Sequence, residues 1–301
     1  MQIPPYLQPG DTIGILCPAG YFPAEKAAVA INVFQEWGFK VTVGATLGNQ
    51  YHYFSGTDQE RLNDLQAMMN NASIKAIFCA RGGYGTGRII DKIDFKEFIK
   101  HPKWIIGFSD ITVLQSHIYT NYKIASIHAP MANAFNDGQH ANEFIQSLHE
   151  ALIGVKGKFE TASHPYNRKG SAKGTLVGGN LSLLAHLTGT SSQVKTKGKI
   201  LFIEDVGEYI YNIDRMLYQL KRAGIFENIS GLIIGGFTEM KDTEIPFGQG
   251  VGEVIRDIIK DYDFPTSFDF PVSHERENYA LKIGLKYKLS VKDNISTLKE
   301  L

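Results

Sequence analysis

Short apolar runs alternate with amphipathic segments through the first half of the chain, and this alternation restricts the fold more than any other feature. β-Branched and other apolar residues fill the predicted strands at residues 12–17, 39–43, 74–79, 104–108 and 124–127. Helical periodicity is expected over residues 23–37, 58–70, 110–121 and 142–153. Continuously apolar strands are typical of a sheet that crossover helices cover on both faces, so the pattern predicts a parallel, doubly wound α/β sheet.

The periodicity is lost between residues 154 and 174, where Gly, Lys, Ser, His and Pro replace it. Such a segment is typical of a linker, and a chain of 301 residues is long enough for two domains. We therefore expect an N-terminal α/β domain over residues 1–153, a linker over residues 154–174 and a C-terminal α/β domain over residues 175–301. The tail at residues 279–291 alternates apolar and polar residues, which predicts a half-exposed strand pair.

The composition excludes several functional classes. The chain has 31 basic and 31 acidic side chains, so it lacks the positive charge that favours nucleic-acid binding. The sequence shows no secretory signal and no apolar run near the ~20 residues of a membrane span, so we expect a cytoplasmic protein without membrane segments. Two cysteines, Cys17 and Cys79, fit reduced, buried thiols. The histidines and cysteines lack HExxH or CxxC spacing, so neither a metal nor a cofactor is expected.

Ser109 is the first candidate for a catalytic group. The segment WIIGFSDITVLQ places it at a strand-to-helix turn, two residues after Gly107 and before Asp110, which can cap the following helix. Such a turn exposes the hydroxyl beside a helix N-terminus, whose N–H groups favour a developing oxyanion. Ile111 stands where the α/β-hydrolase elbow has a glycine, so the turn is not of that type. The alternative is that Ser109 is only a helix cap.

A glycine-rich segment, IFCARGGYGTGR at residues 77–88, is the second candidate. Its glycines allow the backbone to approach a ligand and to direct N–H groups at an anion. It matches neither the dinucleotide fingerprint nor the P-loop, so we interpret it as part of an oxyanion hole, with a simple tight turn as the alternative. Cys79 is a rival nucleophile, although Arg81 is the single neighbour that would lower its pKa.

The residues alone do not decide which histidine is the general base or which acid orients it. The segment KILFIED ends a predicted strand with Glu204 and Asp205, and successive strand side chains face opposite ways, so one of the two reaches a given site. A buried acid requires a partner, which is a histidine ring or an arginine such as Arg215. Of the nine histidines, His128 and His274 both follow predicted strands.

Five segments in order along residues 10–284 resemble the LD-carboxypeptidase family of serine peptidases, also called muramoyltetrapeptide carboxypeptidases, which includes microcin-immunity-type relatives. They are GDTIGILCPAG, ARGGYGTGRIID, IIGFSDITVL, ILFIEDVGEYIYNIDRML and FPVSHERENYALKIG. The resemblance implies an N-terminal flavodoxin-like or amidotransferase-like parallel sheet and a smaller C-terminal α/β domain, with the active site in the cleft between them.

The resemblance also assigns the roles that the residues alone leave open. It implies Ser109 as the nucleophile, His274 as the general base and Glu204 as the acid that orients the base. It further implies an oxyanion hole built from the backbone amides of Asp110 and Gly83.

The implied activity is hydrolysis of the L,D peptide bond that releases terminal D-Ala from cytoplasmic murein tetrapeptides during peptidoglycan recycling, performed by a homodimer. Ser273 stands before His274 where relatives often carry glycine, which leaves substrate preference near that loop open. Two alternatives are a microcin-immunity-type peptidase acting on aminoacyl-nucleotide conjugates and a non-catalytic ligand-binding module.

Overall fold

The computed structural model describes residues 1–136 and 142–301, and the chain divides into two compact units. Unit 1 comprises Met1–Val155 with Tyr279–Lys282, and unit 2 comprises Lys156–Asn278 with Ile283–Leu301. None of the helices in the described residues combines the length and the apolarity that crossing a bilayer requires.

Thirteen strands and eight helices are described. The strands are β1 (Thr12–Leu16), β2 (Lys40–Val43), β3 (Ile74–Cys79), β4 (Trp104–Ile106), β5 (Ser126–His128), β6 (Lys158–Ala162), β7 (Gly170–Asn180), β8 (Lys199–Val206), β9 (Gly231–Thr238), β10 (Thr266–Ser267), β11 (Leu281–Ile283), β12 (Lys286–Val291) and β13 (Ile295–Glu300). The helices are α1 (Ala28–Glu36), α2 (Asp58–Asn70), α3 (Lys96–Lys100), α4 (Thr112–Tyr122), α5 (Glu143–Leu152), α6 (Leu181–His186), α7 (Ile210–Arg222) and α8 (Val251–Ile259).

The sheet of unit 1 has the strand order β11-β5-β4-β3-β1-β2, and its strands β1 to β5 pair in parallel. The order 2-1-3-4-5 within it is that of flavodoxin-like sheets. The inner strands are almost wholly buried, whereas the edge strand β2 is largely exposed. Burial on both faces explains why the inner strands are continuously apolar. The predicted parallel α/β sheet is confirmed.

The strand order of unit 1 reverses between β1 and β3, because the chain runs outward from β1 to β2 and returns to β3 on the other side. In open α/β sheets, ligands bind outside the carboxyl ends of the strands at such a switch point. The loops that follow β1 and β3 meet here, since the amide of Gly20 donates to the carbonyl of Gly82 at 3.0 Å. The glycine-rich segment therefore lies at the switch point.

Helix α2 begins and ends at the residues expected from the sequence, and its capping box is present. The Thr57 hydroxyl accepts from the Glu60 amide at 3.2 Å, and the Glu60 carboxylate accepts from the Thr57 amide at 2.7 Å. The inner face of the helix buries Leu65 and Met69, and also the charged side chain of Arg61. A buried arginine requires partners, which are described with the site.

The sheet of unit 2 is mixed, with the strand order β10-β9-β8-β7-β12-β13-β6. Strands β7 to β10 pair in parallel, and β12, β13 and β6 continue the sheet in antiparallel pairs. The parallel half includes β8, which is buried along nearly its whole length and carries Glu204 and Asp205. Both units are thus α/β, and the second combines parallel and antiparallel pairing.

Much of the segment expected to be a linker, residues 154–174, lies in the unit 2 sheet. Strand β6 lies within it and pairs with β13, and β7 begins within it at Gly170 and pairs with β12. Phe159 is the one buried residue of β6. A largely exposed edge strand carries polar residues on most positions, so it lacks the apolar periodicity that reveals inner strands.

The alternating tail also differs from the expected strand pair. Its first part, β11, lies beside β5 in the unit 1 sheet, whereas β12 pairs with β7 and β13 in the unit 2 sheet. Gly284 separates the two strands with a φ of +92°. This left-handed conformation, which glycine adopts at little cost, allows the chain to leave one sheet for the other.

Candidate active site

Ser109 occupies a strained turn after β4. Its φ of +61° lies in the left-handed region, which residues other than glycine adopt rarely. Gly107, with a φ of +151°, precedes it, and the short 3₁₀ turn Ser109–Ile111 leads into α4. Within the described residues, no side chain caps this turn or α4. The hydroxyl therefore does not serve as a helix cap, and the strain of ~1–3 kcal/mol is of the kind found at functional sites.

Two buried polar side chains hold this turn. Gln115 in α4 donates from Nε2 to the carbonyls of Gly107 and Ile127, both at 2.8 Å. The Asp110 carboxylate accepts from the amide of Thr86 at 2.8 Å. Burial raises the pKa of the Asp110 carboxyl, while the hydrogen bonds from Thr86 oppose that rise. The turn is thus tied to β5 through Gln115 and to the glycine-rich segment through Asp110.

The glycine-rich segment contacts the turn through Gly82. A Cβ atom on Gly82 would lie 3.2 Å from the Cβ of Ser109 and 3.3 Å from the amide nitrogen of Asp110, tighter than ordinary van der Waals contact. Gly83 follows with a φ of +91°, and its nearest neighbours are Tyr53 and Gly20. Backbone of the segment therefore lies beside the amide of Asp110, as an oxyanion hole of backbone N–H groups requires.

Arg61 is a buried residue of α2 that hydrogen-bonds the glycine-rich segment. Its side chain is 0% exposed. The guanidinium donates to the carbonyls of Pro18 at 2.7 Å, Gly85 at 3.0 Å and Gly56 at 3.3 Å, and it pairs with the carboxylate of Asp58. One buried side chain thus joins the loop after β1, the approach to α2 and the glycine-rich segment. These bonds satisfy a buried charge that would otherwise be unfavourable.

Unit 2 brings Glu204 and His274 together. Glu204, in β8, is 0% exposed, and its Oε2 lies 2.7 Å from Nδ1 of His274, whose side chain is 16% exposed. The other oxygen of this carboxylate has no hydrogen-bond partner among the described residues. An ionised carboxylate only accepts hydrogen bonds, so Nδ1 of His274 carries the proton in this pair. The acid thereby sets both the orientation and the tautomer of the imidazole.

Asp205 faces the opposite side of β8 and has a structural role. Its carboxylate accepts from the Asn180 side chain at 2.8 Å, and from the amide and hydroxyl of Ser182 at 2.9 and 2.7 Å. Burial raises the pKa of Asp205, and these hydrogen bonds oppose that rise. The carboxylate thus fixes the start of α6, and Glu204 is the acid that contacts the histidine. Arg215, the other expected partner of Glu204, hydrogen-bonds Asn212 on α7.

Ser273 shapes the loop that follows the histidine. It is buried, its hydroxyl donates to the carbonyl of Glu277 at 3.0 Å, and it accepts from the amide of Glu275 at 3.0 Å. A Cβ atom on Gly236 would lie 2.5 Å from the Cβ of Ser273, so only glycine fits at that position of β9. A serine at this position therefore closes the turn after His274 by its own hydrogen bonds.

The rival candidates are buried inside unit 1. His128 is 0% exposed at the end of β5, with its ring centroid 5.6 Å from that of Phe108. Burial raises the pKa of Cys17 to about 12 and raises that of Cys79 as well, so neither thiol ionises readily. In the part of the chain that the structure describes, no group of three or more His, Cys, Asp or Glu side chains could hold a metal ion.

Sequence reasoning missed four residues that support the site: Arg61, Gly82, Thr86 and Gln115. The doubled glycine of ARGGYG signals a close backbone approach at Gly82. Gln115 lies in the helix that follows the Ser-Asp turn, where a polar residue between apolar ones can bond back to the turn. The burial of Arg61 has no local signal, because its acceptors lie in three separate segments.

Comparison with known proteins agrees with this arrangement. Residues 13–129 match the LD-carboxypeptidase N-terminal domain, and residues 173–289 match the LD-carboxypeptidase C-terminal domain. A relative in Bacillus subtilis (strain 168), named "Probable murein peptide carboxypeptidase", is 34% identical over 98% of this chain and 93% of its own. The microcin C7 self-immunity protein MccF of Escherichia coli is 26% identical over 92% of this chain and 90% of its own.

A solved structure, that of muramoyltetrapeptide carboxypeptidase from Oxalobacter formigenes, is also similar over nearly the whole length. It superposes with a TM-score of 0.88 at 28% identity, covering 96% of this chain and 98% of that one. The two domain matches, the identity to the Bacillus subtilis relative and the shared fold lead to one conclusion. The chain belongs to the LD-carboxypeptidase family of serine peptidases.

Proposed function

We infer that this protein is a serine carboxypeptidase that hydrolyses the L,D peptide bond before the terminal D-Ala of murein tetrapeptides. The observation that carries this inference is the 2.7 Å contact between the buried Glu204 carboxylate and the half-buried His274 imidazole. An acid placed in this way prepares a histidine for proton transfer with a nucleophile. The names of the Bacillus subtilis relative and of the Oxalobacter formigenes enzyme support murein peptides as the substrate class.

In the proposed reaction, Nε2 of His274 takes the proton of the Ser109 hydroxyl as the oxygen attacks the carbonyl carbon before D-Ala. Backbone amides of Asp110 and Gly83 stabilise the tetrahedral oxyanion. His274 then gives its proton to the departing amine, and D-Ala leaves. The rest of the peptide remains bound to Ser109 as an acyl group. Water, deprotonated by the same imidazole, hydrolyses the acyl-enzyme. Glu204 stays ionised throughout and stabilises the imidazolium.

The decisive experiment compares wild-type protein with Ser109→Ala on muropeptides that end in D-Ala or L-Ala, with products weighed by mass spectrometry. We expect the wild type to remove a single D-Ala, and we expect Ser109→Ala to lower kcat by about 10³-fold or more. Ser73→Ala, a change at an exposed serine of unit 1, is the matched control and should keep full activity.

Other outcomes would contradict the proposal. Release of D-Ala that does not depend on Ser109 would remove the assigned nucleophile. Turnover of an aminoacyl-nucleotide conjugate, with murein peptides untouched, would favour the microcin-immunity-type activity instead. Binding of muropeptides without any hydrolysis would favour a non-catalytic module.

We also propose that the protein acts in the cytoplasm, in peptidoglycan recycling, as a homodimer. Cell fractionation tests the first statement, because recovery of the protein outside the cytoplasmic fraction contradicts it. Size-exclusion chromatography with light scattering tests the homodimer. A mass equal to that of one 33.5 kDa chain at all concentrations would contradict the dimer.

A further inference from the structure

Arg81 differs from the other arginines of unit 1, because the described residues offer its guanidinium no partner. Unit 1 contains three arginines, and two of them, Arg61 and Arg88, pair with the same carboxylate, Asp58. Across residues 1–136 and 142–301, no carboxylate lies within 4.0 Å of the Arg81 guanidinium, and no hydrogen bond engages it. Arg81 is exposed, so its charge is available to a ligand.

Arg81 lies at the switch point of the unit 1 sheet, close to the strained turn. It follows β3 by two residues and precedes Gly82, where a Cβ atom would lie 3.2 Å from the Cβ of Ser109. Its side chain crosses Gly20, where a Cβ atom would lie 3.5 Å from Nε of Arg81. The Arg81 side chain therefore lies beside the segment that contacts the nucleophile, at the edge where ligands of such sheets bind.

Tyr53 supplies a second donor at the same place. A Cβ atom on Gly83 would lie 2.9 Å from the Tyr53 hydroxyl and 3.6 Å from the Cα of Gly20, so Tyr53, Gly83 and Gly20 are neighbours. In the described part of the chain, the hydroxyl makes no hydrogen bond, and Tyr53 is 54% exposed. A guanidinium and a phenol thus flank the Gly20 backbone, and both can donate to an anion.

We propose that Arg81, assisted by the Tyr53 hydroxyl, binds the free carboxylate of the residue that the enzyme releases. This inference rests on the proposed carboxypeptidase function. The released residue carries its carboxylate within one peptide unit, about 4 Å, of the carbon that Ser109 attacks, so the group that binds it must adjoin the nucleophile. A planar guanidinium can form two parallel hydrogen bonds with a carboxylate. Binding of the terminal carboxylate by Arg81 and Tyr53 would restrict cleavage to the last peptide bond, as in an exopeptidase.

Two substrates that differ only at the terminus test this assignment: a tetrapeptide ending in D-Ala, and the same peptide ending in D-Ala amide. We expect the wild type to favour the acid by about 10- to 100-fold in kcat/KM, the range for hydrogen bonds to a charged group. Arg81→Gln should lose that factor on the acid, mainly through KM, and should change activity on the amide by less than about threefold. Arg81→Lys should recover part of the loss, since lysine keeps the charge without the planar fork.

Arg88→Gln is the matched control, because Arg88 lies in the same segment but pairs with Asp58. Tyr53→Phe should weaken the acid preference less than Arg81→Gln does. An equal loss of kcat/KM on the acid and the amide would show that Arg81 binds another carboxylate of the peptide or stabilises the fold. That result would overturn the proposal. A wild type that cleaves both substrates equally would overturn it as well. Absence of Ser109-dependent cleavage of either substrate would instead refute the proposed function.

Discussion

Replacing Arg61 with methionine tests whether a single buried cation holds the loops around the nucleophile. The guanidinium is inaccessible to solvent and donates to three backbone carbonyls, those of Gly56, Pro18 and Gly85. Methionine fills a similar length of apolar space but donates to none of them. The carbonyls of Gly56 and Pro18 would then lose their Arg61 donor, while the Gly85 carbonyl would keep the Arg88 amide as a donor at 3.1 Å. Asp58 would retain Arg88 as its remaining partner.

The expected loss follows from these contacts. Each buried carbonyl left without a donor costs about 1–3 kcal/mol, whereas loss of the contact with Asp58 adds little, because that carboxylate is 30% exposed and keeps Arg88. The two carbonyl contributions overlap, because the carbonyls can move or admit water, so we expect Arg61→Met to reduce the free energy of unfolding of unit 1 by about 2–4 kcal/mol. At an m-value of about 2 kcal/mol/M in urea, the unfolding midpoint would fall by about 1–2 M.

Urea unfolding followed by tryptophan fluorescence is the appropriate assay. The two tryptophans of the chain, Trp37 and Trp104, both belong to unit 1, so their signal reports on the unit that contains Arg61. The control is Arg88→Met, because Arg88 also pairs with Asp58 but is largely exposed, and its loss should be a small fraction of that for Arg61. Equal midpoint shifts for the two variants would refute the reasoning.

Two further predictions concern packing and pH. Gly82→Ala should lower kcat about 10-fold with little change in KM, because the new methyl group must displace the Ser109 turn by a few tenths of an ångström. The control is Gly250→Ala, where the added Cβ meets nothing closer than 3.8 Å, and it should leave kcat unchanged in the same assay. Burial and nearby Lys75 lower the pKa of Lys103 from 10.5 to about 8. Between pH 8 and 10.5 the folded protein thus binds fewer protons than the unfolded chain, so its stability rises with pH. In denaturant titrations, the free energy of unfolding of the wild type relative to that of Lys103→Met should rise by roughly 2–3 kcal/mol across this range. A flat difference across that range would contradict the burial argument.

Local signals explain what the sequence could predict of the fold. The capping box of Thr57 and Glu60 and the apolar runs of β1, β3 and β4 depend on neighbouring residues, and they were found where expected. Strand β6 escaped prediction because its exposed edge position removes the apolar pattern. The transfer of the chain between sheets at Gly284 escaped it too, since alternation along a strand does not state which sheet the strand joins.

The site was accessible to sequence reasoning in part. Periodicity places Ser109, Glu204 and His274 at the ends of predicted elements, but it does not indicate which ends converge, so it leaves His128 as an alternative to His274. The contact between Glu204 and His274 joins residues 70 positions apart, and no local pattern encodes such a pairing. The burial of Arg61 depends on acceptors in segments that are remote in sequence, so no local pattern predicts it.

The late return of the chain to the first sheet has a consequence for synthesis on the ribosome. Strand β11 completes the edge of the unit 1 sheet beside β5, and the adjoining residues are anchored there, with the Ala280 amide donating to Ser147 at 2.9 Å and Lys282 to the Val155 carbonyl at 2.8 Å. A nascent chain that has emerged only as far as residue 278 would therefore display β5 as an open edge, a template for pairing with another chain. This edge stays open until residues 281–283 emerge and β11 takes its place beside β5.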